Sequence, residues 1–172
     1  STFTTATNYA VTLSDTSASA ANLNTINADT TGLVTATNVT TISSSTFADV
    51  NTLISNRGIS GNAINIDNDY NVTLSDVSIS AANIKVVNND TSGTINISAA
   101  TTITSSTIAD VLEIVNNTGS VFTTATNYAV TLSDATISAA NVKLINADNG
   151  TGTIDISAAT TITSSTIADV LE

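Results

Sequence analysis

A short repeated triplet constrains the fold of this 172-residue chain more than any other feature. Thr, then Leu or Ile, then Ser or Thr recurs six times, with successive starts 29, 32, 29, 29 and 30 residues apart. The triplets begin at Thr12, Thr41, Thr73, Thr102, Thr131 and Thr161. A regular period of this length is typical of proteins built from stacked units, none of which buries enough apolar surface to fold alone.

A second marker follows each triplet and indicates that two kinds of unit alternate. It is SAAN plus an aliphatic residue in the odd-numbered units, and TFADV or TIADV in the even-numbered ones. Its closing aliphatic residue lies 10 residues after the triplet's centre in odd units and 8 residues after it in even units. The longer period is therefore a pair of units. Residues 97–113 recur unchanged at 156–172, which points to recent duplication.

Around the triplets, apolar and polar residues alternate, and this pattern predicts short half-buried strands. Ile103 and Ile162 are expected to face inward. The small residues 98–100 suit a corner between two strands.

The second marker predicts a helix start. Thr107 and Asp110 have the spacing of a capping box, and apolar residues follow at helical spacing. In odd units Asn replaces the acid, so we expect a weaker cap and a helical segment of only one or two turns there. The aliphatic residues of these segments, Leu23, Ile84 and Val142, are expected in the core.

These patterns together predict a repeat solenoid that is mainly β, with six stacked coils of about 29–30 residues, each holding strands plus a short helix or helical turn. We expect it to be right-handed, as parallel crossovers are. The alternative is an all-β parallel β-helix, in which the second marker forms a third strand or an irregular side. The coils would span 1–30, 31–58, 59–91, 92–118, 119–149 and 150–172. Neither end has a polar capping repeat, so we expect a fragment of a longer array.

The composition of the chain argues against most kinds of enzymatic catalysis. The chain has no His and no Cys, which excludes Ser-His-Asp and Cys-His catalysis and ordinary zinc sites. A hydrolase with paired carboxylates needs two acids in different environments, whereas most acids here occupy equivalent positions. They form two sets: Asp15, Asp76 and Asp134, and Asp49, Asp110 and Asp169. We therefore expect no enzymatic activity.

The charge of the chain limits its partners. Three Lys or Arg residues against fourteen Asp or Glu give a net charge of -11, which disfavours nucleic acid and anionic membranes. The sequence contains no run of 18 apolar residues, the length that would be needed to cross a membrane.

Calcium is the one cofactor that the sequence favours. Asp29, Asp90 and Asp148 lie in equivalent turns rich in oxygen ligands, NADTTG, NNDTSG and NADNGTG. Asp67 and Asp69, in DNDYN, match the start of an EF-hand loop, although Ser78 stands where that loop requires Glu. The alternative is that these Asp and Asn side chains only cap turns through the backbone.

The six triplet threonines suggest a second kind of site. Facing outward from a stack, Thr12, Thr41, Thr73, Thr102, Thr131 and Thr161 would form a hydroxyl ladder suited to ice or to glycans. The alternative is that Thr serves only as a soluble residue with good strand propensity.

The alternating VTLSD…SISAAN and GTI…SAATTITSSTIADV units resemble the Thr- and Ala-rich β-strand repeats of very large secreted or cell-surface proteins of cyanobacteria and other aquatic bacteria. The resemblance covers essentially the whole chain. It implies an extracellular location and an adhesin-like, surface-layer (S-layer) or fibrous role, and it supplies no catalytic residues.

We therefore expect a structural extracellular repeat protein that serves as a cell-surface stalk, a coat or a filament-forming segment. Its partner would be itself, through neighbouring repeats or end-to-end copies. The alternative is a binding module for calcium, glycan or ice.

Overall fold

Strands and helices alternate along the chain in the computed structural model, which describes residues 6–163 and 166–170. The first five residues of unit 1, and residues 164, 165, 171 and 172 of the repeated segment 156–172, lie outside the described residues. The fold is α/β with several parallel sheets, so both the mainly-β solenoid and the all-β parallel β-helix are wrong. Helices hold more of the described residues than strands do. The filament and S-layer character expected from a β-solenoid gains no support from this fold.

One helix per unit lies in the described residues, and each begins at the second marker. The helices are α1 (Ala20–Asp29), α2 (Phe47–Ser55), α3 (Ala81–Asp90), α4 (Ile108–Val115), α5 (Ala139–Asp148) and α6 (Ile167–Val170). The helix start predicted at Thr107 is confirmed: Thr107 Oγ1 accepts the Asp110 backbone N–H at 3.2 Å and donates to Asp110 Oδ2 at 2.9 Å.

The helices of the odd units are longer than the sequence predicted. Helices α1 and α3 each have ten residues, not one or two turns. Their N-cap serines suffice without an acid, because the Oγ atoms of Ser19 and Ser80 accept the backbone N–H three residues on, each at 3.2 Å. Leu23 and Ile84, both fully buried, fix these helices to the core.

The strands are short, from two to five residues. Units 1 and 2 hold β1 (Val11–Thr12), β2 (Ser17–Ser19), β3 (Val34–Thr35) and β4 (Thr41–Ser45); units 3 and 4 hold β5 (Ile64–Asn65), β6 (Asn71–Leu74), β7 (Ser78–Ser80), β8 (Ile95–Asn96) and β9 (Thr102–Ser106); units 5 and 6 hold β10 (Phe122–Thr123), β11 (Ala129–Leu132), β12 (Thr136–Ile137), β13 (Ile154–Asp155) and β14 (Thr161–Ile162). The corner predicted at residues 98–100 is a turn between β8 and β9.

Every strand pairing in the described residues is parallel and joins one unit to the next. The sheets have the orders β1-β3-β5, β10-β8-β6-β4-β2, β13-β11-β9-β7 and β12-β14. Units 3 and 5 have three strands and the even units have two, so β6 and β11 each pair with β4 or β9 on one side and with β8 or β13 on the other. Consecutive helices also pack on one another.

The core lies between the strands and the helices, and one predicted core residue is absent from it. Ile103 is 2% exposed, but Ile162, its copy in unit 6, is 50% exposed. The reason is that no strand follows unit 6 in the described residues to cover it. Val142 is partly buried against the core. None of the helices in the described part of the chain has the length and apolar character that a membrane crossing requires.

Candidate functional site: contacts within and between units

Each of the three tyrosines of the chain donates a hydrogen bond to one of the three turn aspartates that were predicted to ligate calcium. The Tyr70 hydroxyl donates to Asp90 Oδ2 at 2.7 Å and that of Tyr128 to Asp148 Oδ2 at 2.5 Å. The Tyr9 hydroxyl makes the same bond to Asp29. Each aspartate is the last residue of an odd-unit helix. The bond therefore connects the end of the helix to the segment that precedes the strand containing the triplet of the same unit.

The residues after each aspartate complete the same contact, and we name the whole arrangement the tyrosine turn. Thr91 Oγ1 donates to the Tyr70 carbonyl at 2.5 Å, and Asn149 Nδ2 donates to the Tyr128 carbonyl at 3.2 Å. A glycine then packs on that carbonyl: a Cβ on Gly93 would lie 2.3 Å from Tyr70 O. Unit 1 has the equivalent contacts at Thr30 and Gly32, and unit 5 has its glycine at Gly152. The Asp and Gly of these oxygen-rich turns thus have a packing role.

One tyrosine turn is reinforced by a cation. Arg57 Nη1 lies 2.7 Å from Asp90 Oδ2, and its Nη2 donates to the Ile66 carbonyl at 2.9 Å. The guanidinium carbon is 5.9 Å from the centre of the Tyr70 ring. Burial and the bond to Asp90 hold the pKa of Tyr70 well above its usual range, and burial does the same for the pKa of Tyr128.

No group of three or more His, Cys, Asp or Glu side chains in the described residues is arranged to hold a metal ion. Asp67 and Asp69 are exposed in the loop before Tyr70. Calcium binding at Asp29, Asp67, Asp69, Asp90 and Asp148 stays a prediction.

The triplet threonines do not lie opposite one another in the sheets. Thr12 and Thr161 are exposed and the other four are half-buried. Their strand partners are Thr35 for Thr12, Ser17 and Asn71 for Thr41, Asn96 for Thr73, Ser78 and Ala129 for Thr102, Asp155 for Thr131 and Thr136 for Thr161. The cause is the alternation of two-strand and three-strand units, which offsets the triplets of neighbouring units. Binding of ice or glycan by these threonines stays a prediction.

Side chains of the following unit cap the four helices from α1 to α4. In odd units the first helical N–H is that of Ala20 or Ala81, and it donates to Ser45 Oγ at 3.0 Å or to Ser106 Oγ at 2.8 Å. Both serines are buried. A helix start has N–H groups without partners inside the helix, so these bonds satisfy donors that burial would otherwise leave costly.

Helices α2 and α4, in even units, are capped by an aspartate of the next unit. The N–H of Phe47 donates to Asp76 Oδ2, and the N–H of Ile108 donates to Asp134 Oδ2, each at 2.7 Å. A carboxylate at this position also interacts favourably with the helix dipole. Serine and aspartate caps therefore alternate from α1 to α4, and each comes from the next unit.

An ion-pair cluster joins α3 to α4. Lys85 Nζ lies 2.9 Å from Asp110 Oδ1 and 2.7 Å from Glu113 Oε1. The hydrogen bond from Lys85, with a second from Thr107, lowers the pKa of Asp110. The bonds to Glu113 and Asp110 raise the pKa of Lys85.

The C-terminal end of the stack carries an open groove that is mainly apolar but also lined by Lys143, Asn146 and Asp169. Its volume is about 310 Å³, and residues lining it include Ile137, Val142, Ile154, Ile156, Ile162 and Val170. Ile162 and Val170 are exposed at this groove, whereas their copies Ile103 and Val111 are buried in unit 4, which is followed by another unit. Like the caps, the groove therefore shows that a unit needs the next unit to cover its apolar side chains.

Sequence reasoning missed the tyrosine turns and the caps between units. A signal for the first was available: each of the three tyrosines stands 20 residues before a candidate calcium aspartate. For the aspartate caps between units, the only signal in the sequence was the recurrence of Asp15, Asp76 and Asp134. Nothing local connects Asp76 with a helix start 29 residues earlier.

Comparison of the chain with protein-family models finds no match, and comparisons with curated proteins and with solved structures find none either.

Proposed function

We propose that this chain is a structural protein without catalytic activity, whose units hold one another in a stack. The observation that carries this proposal is the set of caps between units. Four consecutive helices, α1 to α4, each have the first N–H bonded by a side chain of the next unit. A unit built in this way is complete only against its successor, which suits a protein whose task is to span or cover a distance.

The acids of the chain support a structural role. Asp76 and Asp134 cap helices, Asp110 pairs with Lys85, and Asp90 and Asp148 bind tyrosines. Carboxylates committed to such bonds are poor general acids or bases, because catalysis requires a proton that can be exchanged with substrate. We propose an extracellular setting as a stalk or coat, on the strength of the repeats, with other units of the same kind as partner and with no role in binding nucleic acid or membrane.

Single-molecule force spectroscopy on the chain held by its two ends tests this function. A load-bearing stack gives force peaks whose spacing corresponds to one unit, about 100 Å of extended chain, or to whole multiples of that length. Asp76→Ala should lower a force peak and Asp15→Ala, its control, should not, because of these two aspartates only Asp76 caps a helix in the described residues. Extension without force peaks would refute the structural function.

Calcium binding is a second candidate, favoured by the exposed carboxylates Asp67 and Asp69. Ligation at this loop would raise the melting temperature as calcium is added, since a ligand that binds only the folded state stabilises it. The double variant Asp67→Asn with Asp69→Asn should remove the increase. An unchanged melting temperature of the parent chain in calcium contradicts this candidate.

A further inference from the structure

The two ends of the stack carry the two halves of an interface that the chain already contains. Residues 156–172 of unit 6 are identical with residues 97–113 of unit 4, and residues 3–15 of unit 1 are identical with residues 122–134 of unit 5. Units 4 and 5 are in contact with each other. Units 6 and 1 lie at opposite ends, and neither has such a neighbour among the described residues.

The contact between units 4 and 5 is made of strand pairing, apolar burial and one cap. Strands β9 and β11 pair in parallel with Ile103 opposite Val130. Ile103 is 2% exposed, and Val130 and Val111 are each 1% exposed. Asp134 accepts the N–H of Ile108 at 2.7 Å.

The same apolar side chains are exposed at the C-terminal end. Ile162, the copy of Ile103, is 50% exposed, and Val170, the copy of Val111, is 54% exposed. Ile167 is 80% exposed, whereas its copy Ile108 is partly buried against the core. These three residues lie at the groove or beside it; in unit 4 the strand that holds Ile103 pairs with β11, and the helix that holds Ile108 and Val111 packs on α5.

The N-terminal end is incomplete in the matching way. Val130 and Leu132 are each 1% exposed in unit 5, but their copies in unit 1, Val11 and Leu13, are only half-buried. Ala10 and Asp15 are exposed. Strand β1 pairs with β3 on one side, and its other edge has no strand against it in the described residues.

We propose that unit 1 of a second copy of this chain docks on unit 6 of the first, head to tail, and repeats the contact between units 4 and 5. Strand β1 of one copy pairs with β14 of the other, Val11 lies opposite Ile162, and Asp15 takes the place that Asp134 has beside unit 4. This inference rests on the proposed structural function and names its partner.

Two properties of the contact follow from its geometry. The junction of unit 6 with unit 1 joins an even unit to an odd one, as the junctions 2 to 3 and 4 to 5 do. It is also heterologous, so each added copy exposes a fresh face and the association does not close at a dimer. Each copy carries a net charge of -11, so salt strengthens the association by screening repulsion.

Sedimentation equilibrium with two blocking variants tests the proposal. Ile167→Arg blocks the C-terminal face, and Ala10→Arg blocks the N-terminal face; both positions are exposed in one copy, so the fold tolerates the change. The average mass of the parent chain should rise with concentration, and each variant alone should remain a monomer. An equal mixture should give a one-to-one heterodimer and nothing larger, because each variant keeps the face that the other lacks.

Ile59→Arg is the matched control, because Ile59 is also 80% exposed but lies at neither end. It should associate like the parent chain, and circular dichroism should show that all three variants are folded. A parent chain that stays monomeric at high concentration and high salt overturns the proposal, as does equal loss of association in the Ile59 variant. Force peaks without association refute the docking alone, whereas association without force peaks refutes the structural function alone.

Discussion

At the scale of single residues, the tyrosine turns explain the most recognisable short segments of the odd units. An aspartate ends the helix and accepts a tyrosine hydroxyl, the next residue binds the carbonyl of that tyrosine, and a glycine packs on it. Four residues from two segments about 20 residues apart thus act together. In the Tyr70 turn the tyrosine is fully buried, Asp90 is half-buried and Arg57 supplements the contact, whereas the Tyr9 turn lies at the exposed end of the stack.

Tyr70→Phe should lower the free energy of unfolding by about 1–3 kcal/mol, because it removes a hydrogen bond to a charged group inside the fold. Asp90 keeps its ion pair with Arg57, so the fold itself survives. Urea denaturation measures the difference. Tyr9→Phe is the control and should cost less, since water can replace the hydroxyl at an exposed turn. Equal losses in the two variants would contradict this account of the turns.

The same tyrosines predict a loss of stability in alkali. Burial raises the pKa of Tyr70 and Tyr128 in the folded chain above the unfolded value, which is about 10. Below that value the protonated form is present in both states and the stabilisation is complete. Above it the unfolded chain releases protons that the folded chain retains, so stability falls as pH rises. Thermal unfolding from neutral to alkaline pH should show this fall, whereas tyrosinate absorbance appearing near pH 10 in the folded Tyr9→Phe variant, which keeps only Tyr70 and Tyr128, would contradict it.

At the scale of the elements, the sequence predicted where helices start better than it predicted how long they run. Ser or Thr three residues before Asn or Asp correctly located the helix starts, because that signal is local. The length of α1 and α3 was missed, since their first N–H is satisfied by serines 25 residues further along the chain. The same distance in sequence hid the aspartate caps and the offset of the triplet threonines.

Asp76→Ala should lower the free energy of unfolding by about 1 kcal/mol, the usual value of a helix cap. Phe47 would lose the acceptor of its N–H at the start of α2. Asp15→Ala changes the same repeat position in unit 1, where no helix precedes it in the described residues, and should leave unfolding of the monomer unaltered. Chemical denaturation at low protein concentration compares the two. A cost for the Asp15 variant equal to that of Asp76 would show that the cap is not the cause.

At the scale of the whole molecule, the described residues hold one helix in each unit of the sequence period, but the predicted fold class was wrong. The period follows from residues that recur in register, whereas the balance of helix and strand depends on how much of each unit the helices occupy. In unit 4, Val111 and Ile114 of α4 are buried in the core together with Ile95 and Ile103 of the strands. The outcome is an α/β stack in which units of two kinds must alternate, because serine caps one kind of helix and aspartate the other.

Removing two units should therefore harm the fold less than removing one. Deletion of residues 59–118 places unit 2 against unit 5, an even unit against an odd one, and leaves Asp134 to cap α2. Deletion of residues 59–91 removes fewer residues but places two even units together, so α2 loses its aspartate and the strand numbers no longer match. We expect the shorter protein to have the higher melting temperature by circular dichroism. The reverse order would contradict the alternation of caps.

The direction of the caps has a consequence for biosynthesis. Each cap comes from the unit that is made later, 25 residues downstream for Ala20 and 29 for Phe47. On the ribosome, the newest of these units therefore lacks the acceptor for the first N–H of its helix until the next unit has been translated. Each of these helices gains its full stability one unit behind synthesis, in the order from the amino end to the carboxyl end.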